Sequence, residues 1–338
     1  MDTKESRMAA PARVAVIVPA YGLAHLVGEA LLSLQRQSLP DWECVVVDDG
    51  SPDDVGSTIA PFLTDPRIRF LATENHGVSA ARNRAIRETA SPLVALLDGD
   101  DLFRPDYLEI MVPLLEADPS IRFATSNSQI FGAVARERLF FSANRAVEHG
   151  LCGTLADVLD RKFGVHICTT FRRADFDAVG GFDETMTQSE DLDLWVRLLQ
   201  LGGEARYVDR VLSDYRVRAG SGSSHGGRIL QGNITVYEKA RKALPEMAQE
   251  QALLERLILG QRKLLDFENA IDRIICGDTA QGIAALRRAG PDQVGSAAWR
   301  LSFMLWGLFP GCAIWMLRWR RKAHRRGARG WLDVLRRN

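Results

Sequence analysis

Cysteine is sparse in this chain of 338 residues: Cys44, Cys152, Cys168, Cys276 and Cys312 are an odd number, and no two form a CxxC pair. That scatter excludes a disulfide framework and a cysteine zinc site, and it points to a reducing compartment. No GxxxxGK[ST] loop is present, which excludes a P-loop nucleotide enzyme. Nor does a GxGxxG follow the first apolar run, where a dinucleotide-binding fold needs one. Residues 1–13 lack an apolar core, so no secretory signal is expected.

Net charge is absent too, with 43 Lys+Arg against 43 Asp+Glu, but the balance hides an asymmetry. Residues 318–338 hold nine Lys/Arg against the single acid Asp333, so this tail carries +8 and residues 1–317 carry −8. The tail reads as an interaction surface for anionic lipid or nucleic acid, while the acidic body does not suit a nucleic-acid partner, so none is expected. The longest uncharged run, residues 301–317, has 17 residues. A bilayer span needs about 17–25 apolar residues, and Pro310-Gly311 interrupts this one. An in-plane hairpin is expected instead, anchored on the inner leaflet by Trp299, Trp306, Trp315, Trp319 and the basic tail. A helix pair buried against the main domain is the alternative.

Short apolar runs are plentiful. Val14–Val18, Cys44–Val47, Ile68–Leu71 and Leu93–Leu97 read as buried strands, with helical patterns over His25–Gln37 and Val78–Glu88 between them. Alternating strands and helices predict a mostly parallel sheet covered on both faces. Ligands bind beyond the carboxyl ends of such strands. Two acidic clusters fall there: Asp48-Asp49, and the Asp98, Asp100 and Asp101 of "LLDGDD". Asp is equally at home in turns and helix caps. Acids without nearby His or Cys also suit Mg²⁺ or Mn²⁺, which take a few carboxylates plus substrate phosphates. Further on, "SEDLDLWVRLL" places Glu190, Asp191 and Asp193 at a helix start, as dipole partners behind a Ser189 cap or as a general base. From about Arg228, Val236, Ala240, Leu253, Leu257, Leu264, Leu265, Ile271 and Ile275 recur at helical spacing, a helical extension.

Six motifs in order carry a resemblance: "VAVIVPAYG", "SLQRQSLPDWECVVVDDGS", "NHGVSAARNRAI", "LLDGDDLFRPDYLE", "GGFDE" and "SEDLDLWVRLL". Together, over residues 12–225, they resemble the family 2 glycosyltransferases. The resemblance implies a GT-A fold, an α/β architecture with a mixed, mostly parallel sheet flanked by helices. Residues 226–295 would be the helical extension and 296–338 a membrane-proximal tail. It implies an inverting transfer of sugar from a nucleotide diphosphate, with UDP favoured, to a hydroxyl of a saccharide or lipid-linked acceptor. Pro19, Ala20 and Tyr21 would border the base, Asp49 would accept a hydrogen bond from it, and Arg82 and Asn83 would enclose the nucleotide. Asp98 would lie by the ribose and diphosphate, with Asp100 as metal ligand and Asp98 and Asp101 supporting it. Asp191 would be the general base and Glu190 would place the acceptor. Where relatives often carry a His, this chain has Arg218, which can pair with diphosphate oxygens instead. Gly22 and the loop residue His76 receive no role. The implied setting is the cytoplasmic face of the membrane, in envelope polysaccharide or glycolipid synthesis. Transfer to a polyprenyl phosphate and a non-catalytic nucleotide-sugar-binding module are the rivals.

Overall fold

A computed structural model describes residues 11–218, 226–289, 294 and 297–326. Residues 219–225 of the expected catalytic domain, and 296 and 327–338 of the expected tail, lie outside them. By its contacts the chain divides into two compact units. The first takes in Met1–Gly132 and Arg138–Arg216, the second Ala133–Glu137 and Val217–Asn338.

The first unit begins as the apolar runs predict: β1 (Val14–Ala20), α1 (Val27–Gln35), β2 (Trp42–Asp49), α2 (Val55–Ile59), β3 (Ile68–Thr73), α3 (Val78–Arg87) and β4 (Leu93–Leu96). Every residue of β1 and β4 is buried, because α-helical crossovers cover both faces of a parallel sheet. The chain goes on through β5 (Leu102–Phe103), α4 (Tyr107–Ala117), β6 (Ile121–Gly132), β7 (Arg138–Leu139), α5 (Arg145–His149), β8 (Cys152–Gly153) and α6 (Leu155–Leu159). It closes with β9 (Thr169–Arg172), α7 (Arg173–Ala178), α8 (Glu190–Gln200) and β10 (Glu204–Val217). The strand order is β3-β2-β1-β4-β9-β6-β10-β5. Pairing is parallel from β3 to β4 and antiparallel between β4, β9 and β6.

The antiparallel half escaped the apolar-run reading for a physical reason. β6 buries Thr125, Ser126, Asn127 and Ser128, polar residues that interrupt any apolar run. The Asn127 side-chain carbonyl accepts from the backbone amides of Phe141 at 3.0 Å and Ser128 at 2.9 Å. His166 Nδ1 accepts from the Cys168 amide at 3.1 Å, so Nε2 carries the proton and donates to the Ser126 carbonyl at 3.0 Å. Burial pushes the His166 pKa down to about 4, which keeps the ring neutral.

From Gly226 on, the second unit is built of helices among the described residues: α9 (Gly226–Ala243), α10 (Glu250–Ile275), α11 (Thr279–Arg288), α12 (Ala297–Leu308) and α13 (Gly311–Arg326). Its core joins Ile271, Ile274 and Leu286 to Trp299, Trp306, Ala313 and Leu317. Trp299 and Trp306, expected as interfacial anchors, are therefore inside, 8% and 1% exposed. Trp299 meets Phe267 and Trp306 edge-on at 5.6 and 5.9 Å, so ring packing claims both indoles. Pro310 and Gly311 break the apolar run into two helices.

Candidate active site

Three strand ends stand side by side. The register pairs Ala20 with Asp48 and Ile17 with Leu96, so β1, β2 and β4 finish at one edge. Leu97 and Gly99 then continue against β1, donating to the carbonyls of Ile17 at 3.0 Å and Pro19 at 3.3 Å. A Cβ on Gly99 would sit 3.0 Å from that Pro19 oxygen and 3.1 Å from Leu23 Cδ1, which explains glycine between the two acids of the DxD pattern. Asp98, Asp100 and Asp101 each bring a carboxylate oxygen within 4.8 Å of the others.

The three acids differ. Asp98 and Asp100 are half-buried, whereas Asp101 is 1% exposed. Burial, and after it the charges of Asp98 and Asp100, raise the Asp101 pKa well above the usual carboxylate range. Its Oδ1 accepts from the Arg216 amide at 2.8 Å, which ties the cluster to β10. Carboxylates this close repel one another, and a hard divalent cation relieves that repulsion. An all-oxygen donor set of this kind fits Mg²⁺ or Mn²⁺.

The guanidinium groups of Arg82 and Arg216 both reach the cluster, and the sequence reading did not single out Arg216. Arg216 Nε donates to the Asp100 carbonyl at 2.8 Å and Nη2 to Glu29 Oε2 at 2.7 Å. Arg218 follows β10 directly and belongs to the second unit.

Arg82 joins the Asp98 cluster to the acids at the start of α8. Its side chain is 3% exposed, with Nη2 at 2.7 Å from Asp98 Oδ1 and Nη1 at 3.0 Å from Glu190 Oε1. Burial works against the guanidinium charge, but Asp98 and Glu190 outweigh it and raise the pKa. The Phe182 ring lies 5.4 Å from the same guanidinium. Next along α3, Asn83 commits its amide to the GGFDE loop rather than to open space. Nδ2 donates to Phe182 O at 2.9 Å and Glu184 Oε1 at 2.8 Å, and Oδ1 accepts from the Phe182 amide at 2.9 Å. Gly181 lets the loop come that close: at φ +80° its Cβ would stand 2.9 Å from Asn83 Oδ1. Gly181→Ala is expected to cost about 1–2 kcal/mol from the left-handed backbone alone, read as a lower midpoint in denaturant unfolding.

Asp49 braces the start of α3. Its Oδ1 and Oδ2 accept from the amides of His76 and Gly77, both at 2.9 Å. A cleft of about 510 Å³ opens beside it, lined by His76, Arg84 and Glu184 among others. His76, left without a role on sequence grounds, thus faces this cleft. None of the acids at 98–101 or 190–191 lines it. The carboxylates converge away from this cleft. Tyr21 is 53% exposed just past β1, in keeping with a surface open to a ligand.

At the start of α8, Ser189 does not act as the expected side-chain cap. It sits at φ 60°, ψ 25° and makes no side-chain cap hydrogen bond. Besides Arg161, it is the only described non-glycine residue at positive φ, a costly backbone of the kind found at functional sites. Asp193 pairs with Arg197 at 2.6 Å and is 1% exposed, which gives it a structural role. Asp191 Oδ1 accepts from the Leu192 amide at 2.7 Å. Burial, with the Glu190 charge second, raises the Asp191 pKa to about 6, while Leu192, Arg161 and Arg82 pull the other way. A carboxylate poised there can take a proton near neutral pH.

A sheet of this order, with acids at its parallel strand ends and helices behind, is the GT-A fold of nucleotide-sugar transferases. Residues 15–177 match Glycosyl transferase family 2. An uncharacterized glycosyltransferase of Rickettsia felis is 30% identical over 216 residues, covering 62% of this chain and 34% of that protein. The chain spans about a third of the length of the first curated relatives it matches. The UDP-Glc:alpha-D-GlcNAc-diphosphoundecaprenol beta-1,3-glucosyltransferase WfgD of Escherichia coli is 27% identical over 265 residues, covering 76% of this chain and 97% of that one. Among solved structures, the mannosyltransferase PcManGT of Pyrobaculum calidifontis with GDP-Man and Mn²⁺ has a TM-score of 0.58 at 21% identity. That likeness covers 94% of this chain and 90% of that one. The family match stops at Asp177, before Glu190 and Asp191.

Proposed function

We propose that this protein moves a sugar from a nucleotide diphosphate to an acceptor hydroxyl, inverting the anomeric centre. One observation carries the reading. Buried Arg82 binds Asp98 of the donor-side cluster and Glu190 of the base-side pair at once, across more than 100 residues of sequence. Asp191 accepts the proton of the attacking hydroxyl, and Glu190, held by Arg82, places that hydroxyl. Pro19, Ala20, Tyr21 and Asp49 border the base, and Asn83 fixes the loop that closes the acceptor side. Arg218 keeps its sequence-based role, a partner for diphosphate oxygens. Asp98, Asp100 and Asp101 would hold Mg²⁺ or Mn²⁺, which supplies Lewis-acid stabilisation of the leaving diphosphate. UDP is the favoured nucleotide, as in the donor named for the Escherichia coli relative. An acceptor lipid or saccharide of the cell envelope suits the same likeness, with the protein resting on the cytoplasmic membrane face. No helix among the described residues is long and apolar enough to cross a membrane.

The test is thermal unfolding with UDP, GDP, dTDP and CDP, each with and without Mn²⁺. One nucleotide should raise the Tm only with metal, and Asp100→Ala should abolish that rise. At 100 times Kd the gain is about 2.7 kcal/mol, well above the scatter of such measurements. No response to any nucleotide with Mn²⁺ would overturn the donor reading.

A further inference from the structure

The hairpin of α12 and α13 has two faces with different fates. One face is spent inside the second unit, where Trp306 Nε1 donates to Met316 Sδ at 3.4 Å and Ala313 and Leu317 are buried. The other is left in water. Leu301, Met304 and Leu308 are 68%, 70% and 75% exposed, Phe309 at the turn 59%, and Trp315 and Trp319 69% and 63%. Their spacing within each helix, three or four residues, makes a stripe rather than a scatter. Large exposed apolar patches mark interaction sites.

Charge selects the occupant. No Asp or Glu occurs from 297 to 332, while Arg300, Arg318, Arg320, Arg321, Lys322, Arg325 and Arg326 fall in or beside the two helices. A second copy seated on this stripe would bring two strongly basic segments together, which like-charge repulsion opposes. Nucleic acid would meet the charge but leave the apolar side chains without a partner. An anionic bilayer surface satisfies both. Helices of 12 and 16 residues extend about 18 and 24 Å, short of the roughly 30 Å hydrocarbon thickness.

We propose that the α12–α13 hairpin lies in the plane of an anionic leaflet, with its exposed apolar stripe at the headgroup–acyl boundary and the net positive charge of its sequence drawing it to that surface. The buried Trp299 and Trp306 hold the hairpin together, and Trp315 and Trp319 meet the lipid. This deepens the membrane placement proposed above and stands apart from the transfer reaction.

The test is flotation of the full chain with phosphatidylglycerol–phosphatidylethanolamine vesicles and with phosphatidylcholine vesicles, alongside L308S/F309S, whose changes fall on exposed side chains. Binding should favour the anionic vesicles and persist in part at high salt, because apolar contact is unscreened. The double variant should bind roughly tenfold more weakly or worse, the factor expected when large apolar side chains no longer leave water. Indole fluorescence should shift to the blue with lipid, and W315F/W319F should lose most of that shift. Binding that vanishes with salt and ignores L308S/F309S would overturn the proposal in favour of tail charge alone. A concentration-dependent dimer that the double variant dissociates, with no vesicle binding, would overturn it in favour of a second copy. An unchanged nucleotide response in either case would leave the transfer reading standing.

Discussion

Asp191→Asn is expected to lower kcat by roughly 10²–10⁴-fold, the usual worth of a positioned base, while leaving the nucleotide-induced rise in Tm intact. As the proposed base Asp191 acts in its ionised form, and burial, with the Glu190 charge second, raises its pKa to about 6. In the wild type kcat should therefore fall about tenfold per pH unit below that value and level off above it. The variant's residual rate should lose that dependence. Stability moves the other way. The folded carboxyl binds its proton more tightly than an unfolded one with pKa about 3.9. Its ionisation thus costs stability, which declines as pH rises from about 4 to about 6. The Asn variant should escape that cost and melt no lower than the wild type at pH 7. A mild effect on kcat would instead favour a phosphate acceptor, which is already anionic and needs no base.

Arg82→Ala should damage both fold and rate. It leaves Asp98 and Glu190 facing one another across a space now lacking the cation that neutralised both. Breaking a buried pair on one side costs about 3–5 kcal/mol. The 28% and 17% exposure of the two carboxylates brings the expectation towards the lower end of that range. Arg82→Lys separates charge from geometry. A single ammonium restores most of the Tm, but it lacks the planar fork that reaches two carboxylates. Its kcat should stay at least tenfold down while KM for the donor changes less. Mn²⁺ should recover part of the lost Tm in Arg82→Ala, since a cation on Asp98 supplies some of the missing charge. Equal kcat in the Lys variant and the wild type would reduce Arg82 to a charge-neutralising role.

Some of this was legible in one dimension. Unbroken apolar runs determined β1, β2 and β4, because a strand covered on both faces has no polar side to hide, whereas β3 is an edge strand interrupted by the exposed Arg69. The acids at 48–49 and 98–101 announced themselves by following such runs. Chain order determined the family, through six motifs none of which decides alone. The periodic leucines and isoleucines after Arg228 determined the helical second unit. Tertiary structure decided the rest, because those choices depend on which residues meet across long separations. Only folding could show that Arg82 holds acids from two distant segments, or that Asn83 turns to the GGFDE loop. It also assigned Asp193 to Arg197 and set Arg216 on the acid cluster. Four tryptophans in an apolar, basic stretch look alike on paper. Two of them are core and two are surface because helix packing has a direction, and composition has none.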